Sequence, residues 1–156
     1  MIRLHFIFFL FLTSSCSYSA LPIDKISSEL DTMSFEVVQK ELIVEDDLPI
    51  YVEKLLKKWF QEKVKINGFD GDMKFMVKEY QEKISSINEG KRVDLSLRFE
   101  VLIKKPTLSK RVIIKGKVES YGSLKGTFTL NEFDKIIQNT QIDLIVRLSR
   151  DLKSKI

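Results

Sequence analysis

Histidine and cysteine are almost absent from this chain of 156 residues, which holds one of each, His5 and Cys16, both near its start. Beyond Cys16 no imidazole or thiol remains, so Ser-His-Asp and Cys-His nucleophile arrangements and the common zinc ligand sets are excluded. A lone cysteine cannot close an internal disulfide, so packing alone must hold the fold. Glycine is scarce as well, at 6 residues, and Gly68, Gly71 and Gly90 match no phosphate-binding fingerprint. Asp70-Gly71-Asp72 lacks the spaced third acid and closing glutamate of a calcium loop and reads as a polar turn. The residues therefore imply no cofactor and no metal. Neither sign of charge dominates. There are 26 basic and 22 acidic residues, a net +4, and with 44% apolar residues this excludes a disordered chain. The length suits one domain with a real core.

What is present begins with an address. Residues 1–20 read as a secretory signal peptide. Arg3 gives a positive start, residues 4–12 form an apolar run broken only by His5, and Thr13, Ser14, Ser15, Cys16 and Ser17 follow as small residues. The apolar run is about half of the ~20 residues that a spanning helix needs. Two processing outcomes stand side by side. Thr13-Ser14-Ser15-Cys16 resembles the lipobox of bacterial lipoproteins, with Thr13 where leucine is usual, and implies lipidation of Cys16. Alternatively, signal peptidase cuts after Ser19 or Ala20. Either way the expectation is an exported protein, in the periplasm or anchored at the outer membrane facing the periplasm.

Residues 21–33 read as a lead-in segment and residues 34–156 as a single domain. Phe35, Val37, Val38, Leu42 and Val44 predict a first strand whose alternation slips between Val37 and Val38. Glu45-Asp46-Asp47 is placed to cap a helix, with Pro49 in its first turn. Leu48, Tyr51, Val52, Leu55, Leu56, Trp59, Phe60 and Val64 recur at helical steps, a face about five turns long, with Asn67-Gly68 as a left-handed stop. Met73, Phe75 and Val77 alternate next. Val93, Leu95, Leu97, Phe99, Val101 and Ile103 then alternate without a break and predict a half-buried antiparallel strand. Pro106 and Ser109 fall in the reversal, and Val112, Ile114 and Val118 return, with Gly116 as a gap for close packing. Thr129-Leu130-Asn131-Glu132 is a capping box opening a last helix through Phe133, Ile136, Ile137, Leu144, Leu148 and Leu152. The expected fold class is α+β: a two-layer sandwich in which an antiparallel four-stranded sheet carries two amphipathic helices on one face, in the order β-α-β-β-β-α.

One charge feature stands out. Residues 101–118 hold Lys104, Lys105, Lys110, Arg111, Lys115 and Lys117 and no acid. On a hairpin these gather at the tip and along one polar face. They read as a contact for an anionic lipid or an acidic protein partner. The commoner use of such lysines is charge that blunts an exposed strand edge. Nucleic acid is not an expected partner, since no aromatics interleave with these lysines.

In outline, a signal with a lipobox-like end, a strand, an amphipathic helix, antiparallel strands and a terminal helix resemble the small lipopolysaccharide-assembly lipoproteins of Gram-negative bacteria. They are also similar to auxiliary lipoproteins of lipid-transport ABC systems. The resemblance implies non-enzymatic work as a binding or assembly module facing the periplasm. Its implied partner is an envelope membrane protein or an anionic lipid, with membrane association through a lipid anchor. Two other roles stay open: a purely structural or adaptor subunit of a membrane complex, and a carboxylate-dependent hydrolase resting on Glu79, Glu82 and Glu100.

Overall fold

The computed structural model describes residues 30–156; the signal segment, Cys16 and the cleavage positions lie outside the described residues. The chain forms strands β1 (Met33–Phe35) and β2 (Gln39–Val44), helix α1 (Ile50–Lys63), strands β3 (Val64–Ile66), β4 (Asp72–Ile87), β5 (Gly90–Lys105) and β6 (Lys110–Lys125), and helix α2 (Leu130–Lys153). A 3-10 turn, Pro106–Leu108, joins β5 to β6.

The fold is α+β, with two corrections to the expected topology. The first strand is two strands, broken where the alternation slips: Val37 donates back to the Phe35 carbonyl at 2.9 Å, and Val38 turns to the Gly71 carbonyl at 3.0 Å. The four-stranded sheet, ordered β2-β4-β5-β6, is mixed rather than antiparallel, because β2 runs parallel to β4. From β2 the chain crosses through α1 and β3 before entering β4, and such a crossover returns it to the starting end. The short strands β1 and β3 pair in a second, parallel sheet.

Helix α1 is shorter than its periodicity predicts. Its apolar row is buried through Val52, Leu55, Leu56, Trp59 and Phe60, but Val64 is extended and opens β3 opposite Met33. The stop is therefore not a left-handed Asn67-Gly68. Lys40 supplies it, donating from Nζ to the Phe60 carbonyl at 2.9 Å and to the Val64 carbonyl, so the orphan carbonyls of the last turn find a buried-side donor. Nor do the acids at 45–47 cap the helix, whose N-cap is Pro49 without a side-chain bond. They clasp β4 where its register shifts after Val77: Asp46 Oδ2 accepts from Tyr80 N at 2.7 Å, and Glu45 N donates to the Val77 carbonyl at 3.0 Å. Helix α2 does start on the expected capping box, Glu132 N donating to Thr129 Oγ1 at 3.2 Å and Thr129 N to Glu132 Oε2 at 2.7 Å.

Both helices cover one face of the sheet. Met73, Phe75 and Val77 of β4 and Val93, Leu95, Leu97, Phe99 and Val101 of β5 are buried there, in one cluster with Trp59 of α1 and Leu144, Ile145, Leu148 and Leu152 of α2. Trp59 meets Phe75 edge-on at 5.4 Å between ring centroids, and so serves the core. Leu30 and Met33 belong to the same cluster.

Candidate functional site

Strand parity decides where the six cations of the β5–β6 hairpin go. Core-facing residues are odd in β5 and even in β6, as Val101 and Ile114 show by pairing across the ladder. Lys104, Arg111, Lys115 and Lys117 therefore stand on the open face of the sheet. Lys105 and Lys110 stand at the tip on the helix side. The hairpin gathers all six, but on two faces rather than one.

Their pairing differs as well. Lys115 bridges to Glu100 at 3.2 Å, Lys117 to Glu119, and Lys105 to Glu36 at 2.9 Å. Lys104, Lys110 and Arg111 have no ion pair among the described residues. Yet Lys104 stands directly opposite Arg111, and Lys105 opposite Lys110. Like charges at opposed positions destabilise a ladder. The tip thus gathers four cations at one end of the molecule, with Glu36 bonded to Lys105 and Asp72 opposite Lys104 as the nearby acids.

The loop between β3 and β4 lies against that tip. Asp70 Oδ2 accepts from the Thr107 amide at 3.0 Å, and the Thr107 side chain, with the Thr107 and Gly71 amides, holds its carboxyl below the usual range against a smaller effect of burial. Gly71 adopts φ 89°, and its missing side chain lets the loop touch the Lys104 carbonyl. On the other side Asn67 N donates to the Phe35 carbonyl at 3.0 Å and Gly68 N to the Val37 carbonyl at 3.1 Å. Between these fastenings Phe69 is 103% exposed, and Leu108 of the tip is 66% exposed. The two line one open cleft of about 370 Å³ with Glu36 and Lys105. A second cleft of about 290 Å³ shares Glu36 and Lys105 and continues to Lys110 and Ile156. The Glu36–Lys105 bridge is their common wall, and Lys105, by donating to it, holds the Glu36 carboxyl below its ordinary range.

The sequence marked the cations of this end but not Phe69 or Leu108. Asp70 and Gly71 lie in the loop before β4, while Asp72 opens the strand itself, and among the described residues no group of three or more acidic, histidine or cysteine side chains is placed to hold a metal. The carboxylates considered for hydrolysis are each engaged elsewhere: Glu79 by Arg98 at 2.9 Å, Glu82 by the Tyr80 hydroxyl at 2.9 Å, and Glu100 by Lys115. Burial, with Glu82 close by, pushes the Tyr80 phenol well above its usual value. No described helix is long and apolar enough to cross a membrane.

Compared with known proteins, the chain matches no family model. No curated protein matches it either. Among solved structures it is similar to a minor lipoprotein from Acinetobacter baumannii, at 17% identity over 77% of this chain and 92% of that one, with a TM-score of 0.49. It is also similar to the rare lipoprotein B from Shewanella oneidensis, at 13% identity over 76% of this chain and 96% of that one, with a TM-score of 0.45. A third likeness is to an uncharacterized lipoprotein B from Nitrosomonas europaea, at 6% identity over 78% and 86% of the two chains, with a TM-score of 0.40.

Proposed function

We propose that this chain is a non-enzymatic module of the bacterial envelope, exported by residues 1–20 and held at a membrane facing the periplasm, with Cys16 as its lipidated residue. Its work is contact: the basic hairpin meets an anionic group on an envelope protein or lipid. The specific form of this reading is an accessory lipoprotein of lipopolysaccharide assembly or of a lipid-transport ABC system, supported by the outline of the chain.

One observation carries the proposal. Lys104 faces Arg111, and Lys105 faces Lys110, at the end of a ladder where Lys110 and Arg111 form no ion pair among the described residues, while Lys104 has Asp72 opposite it on β4. A fold that keeps like charges opposed forgoes cross-strand stability, and an external anion restores it. Blunting a strand edge explains the charges on β6 but not their concentration at the tip.

Photo-crosslinking from position 113, exposed on the open face of β6 beside Arg111, in the native envelope, with the hairpin otherwise wild type and in a Lys104→Gln/Lys110→Gln/Arg111→Gln background, tests the contact. A defined adduct that disappears in the variant is expected. An unchanged adduct pattern removes the basic hairpin as the contact. Mass spectrometry of the mature N-terminus checks the anchor, and an unmodified start at Ala20 or Leu21 excludes it.

A further inference from the structure

We propose that the end of the domain carrying Phe69 and Leu108 docks on an anionic lipid bilayer, the two apolar side chains entering the interface while Lys104, Lys110 and Arg111 meet headgroup phosphates. This rests on the reading of the hairpin as an anion contact and names its partner.

The argument starts from cost. A fully exposed phenylalanine is expensive in water, and single exposed apolar residues call for an account only when they cluster or are held out. Here both hold. Phe69 and Leu108 line one cleft. The loop bearing Phe69 is fastened on each side of it, to the Phe35 and Val37 carbonyls before it and to Thr107 and Val38 after it. These fastenings hold the loop with the Phe69 ring outside the core.

Charge complementarity selects the occupant. Glu36 and Asp70 line the same cleft, but both are engaged within the protein, Glu36 by Lys105 and Asp70 by the Thr107 amide, which leaves the neighbouring Lys104, Lys110 and Arg111 to meet lipid phosphate while the apolar tip enters the headgroup boundary. An apolar protein groove would not call for the opposed cations, and an acidic protein surface would not call for Phe69 and Leu108.

The test is co-sedimentation with phosphatidylglycerol-containing vesicles and with pure phosphatidylcholine vesicles. The full chain carries Cys16→Ser throughout, so that no acyl group contributes. Binding to the anionic vesicles that weakens with salt is expected, with little binding to the neutral ones. Phe69→Ser/Leu108→Ser should weaken binding about tenfold or more, and Lys104→Gln/Arg111→Gln should weaken it and flatten the salt dependence. All four positions are surface sites, so unfolding midpoints should stay at the wild-type value. As a second readout, Phe69→Trp in a Trp59→Phe background should shift its emission to the blue on adding anionic vesicles. Absence of binding to anionic vesicles, or wild-type binding by Phe69→Ser/Leu108→Ser, overturns the inference. A protein adduct unchanged in the Lys104→Gln/Lys110→Gln/Arg111→Gln background, with anionic-vesicle binding intact in the wild type, would remove the hairpin's contact with a protein and leave its contact with lipid standing.

Discussion

Phe99 lies over Gly116, its partner across the β5–β6 ladder, so that a side chain at 116 would overlap the ring. On its other side Phe99 stacks on Phe75, with centroids 5.5 Å apart and planes 9° from parallel. The missing side chain of Gly116 thus sets the height of an aromatic stack that reaches Trp59 through Phe75. Gly116→Val forces that ring to move and should cost about 1–3 kcal/mol. Urea unfolding followed by the emission of Trp59, the sole tryptophan, reads the change directly. A midpoint equal to wild type would show that the stack tolerates displacement.

Lys40 reaches from β2 to the end of α1, donating to the carbonyls of Phe60, Gln61 and Val64 with its ammonium 4.9 Å from the Phe60 ring centroid. Burial presses its pKa down, yet the three acceptors keep it useful. Lys40→Met keeps the apolar stem but strands those carbonyls, and a loss of about 1–3 kcal/mol is expected. Hydrogen exchange should show the damage first in the last turn of α1. Protection that stays at the wild-type level there would locate the stop elsewhere.

Asp143 of α2 ties the helix to β6. Burial raises its pKa, but Ser120 Oγ at 2.7 Å and Arg147 Nε at 2.6 Å outweigh burial and hold it below its usual value of 3.8. A carboxyl with a lower pKa folded than unfolded adds stability that is complete above the unfolded value and vanishes as pH falls through the folded one. The stability advantage of wild type over Asp143→Asn should therefore shrink on acidification from about pH 5 to about pH 2. Denaturation midpoints of both proteins across that range check it. A gap independent of pH would assign the effect to packing.

Much of this was legible before the coordinates. The unbroken alternation from Val93 to Ile103 located β5 because one buried face enforces period two, and Thr129 with Glu132 located the start of α2 because the box is local chemistry. What periodicity does not encode is the partner. Nothing in Leu42 or Val44 says that β2 lies parallel to β4, and nothing in Val64 says that pairing with Met33 outweighs one more helical turn. The candidate site shows the same divide. Its cations stood out as a run without acids, but the side chains that turn a basic hairpin into an amphiphilic tip did not. Phe69 sits alone among loop residues, and its exposure depends on fastenings to β1 and Thr107 that only the tertiary structure brings together.

The parallel pairing of β2 with β4 bears on how the molecule assembles. Strands β4, β5 and β6 follow one another by tight reversals and can zip up from neighbouring sequence alone. Strand β2 emerges earlier from a ribosome or translocon but has nothing to join until the whole of α1 and β3 has followed it out. The early part of the chain must therefore wait as an unpaired ribbon while later parts organise, and closure of the sheet at that edge is the slow, length-spanning event on which the finished domain depends.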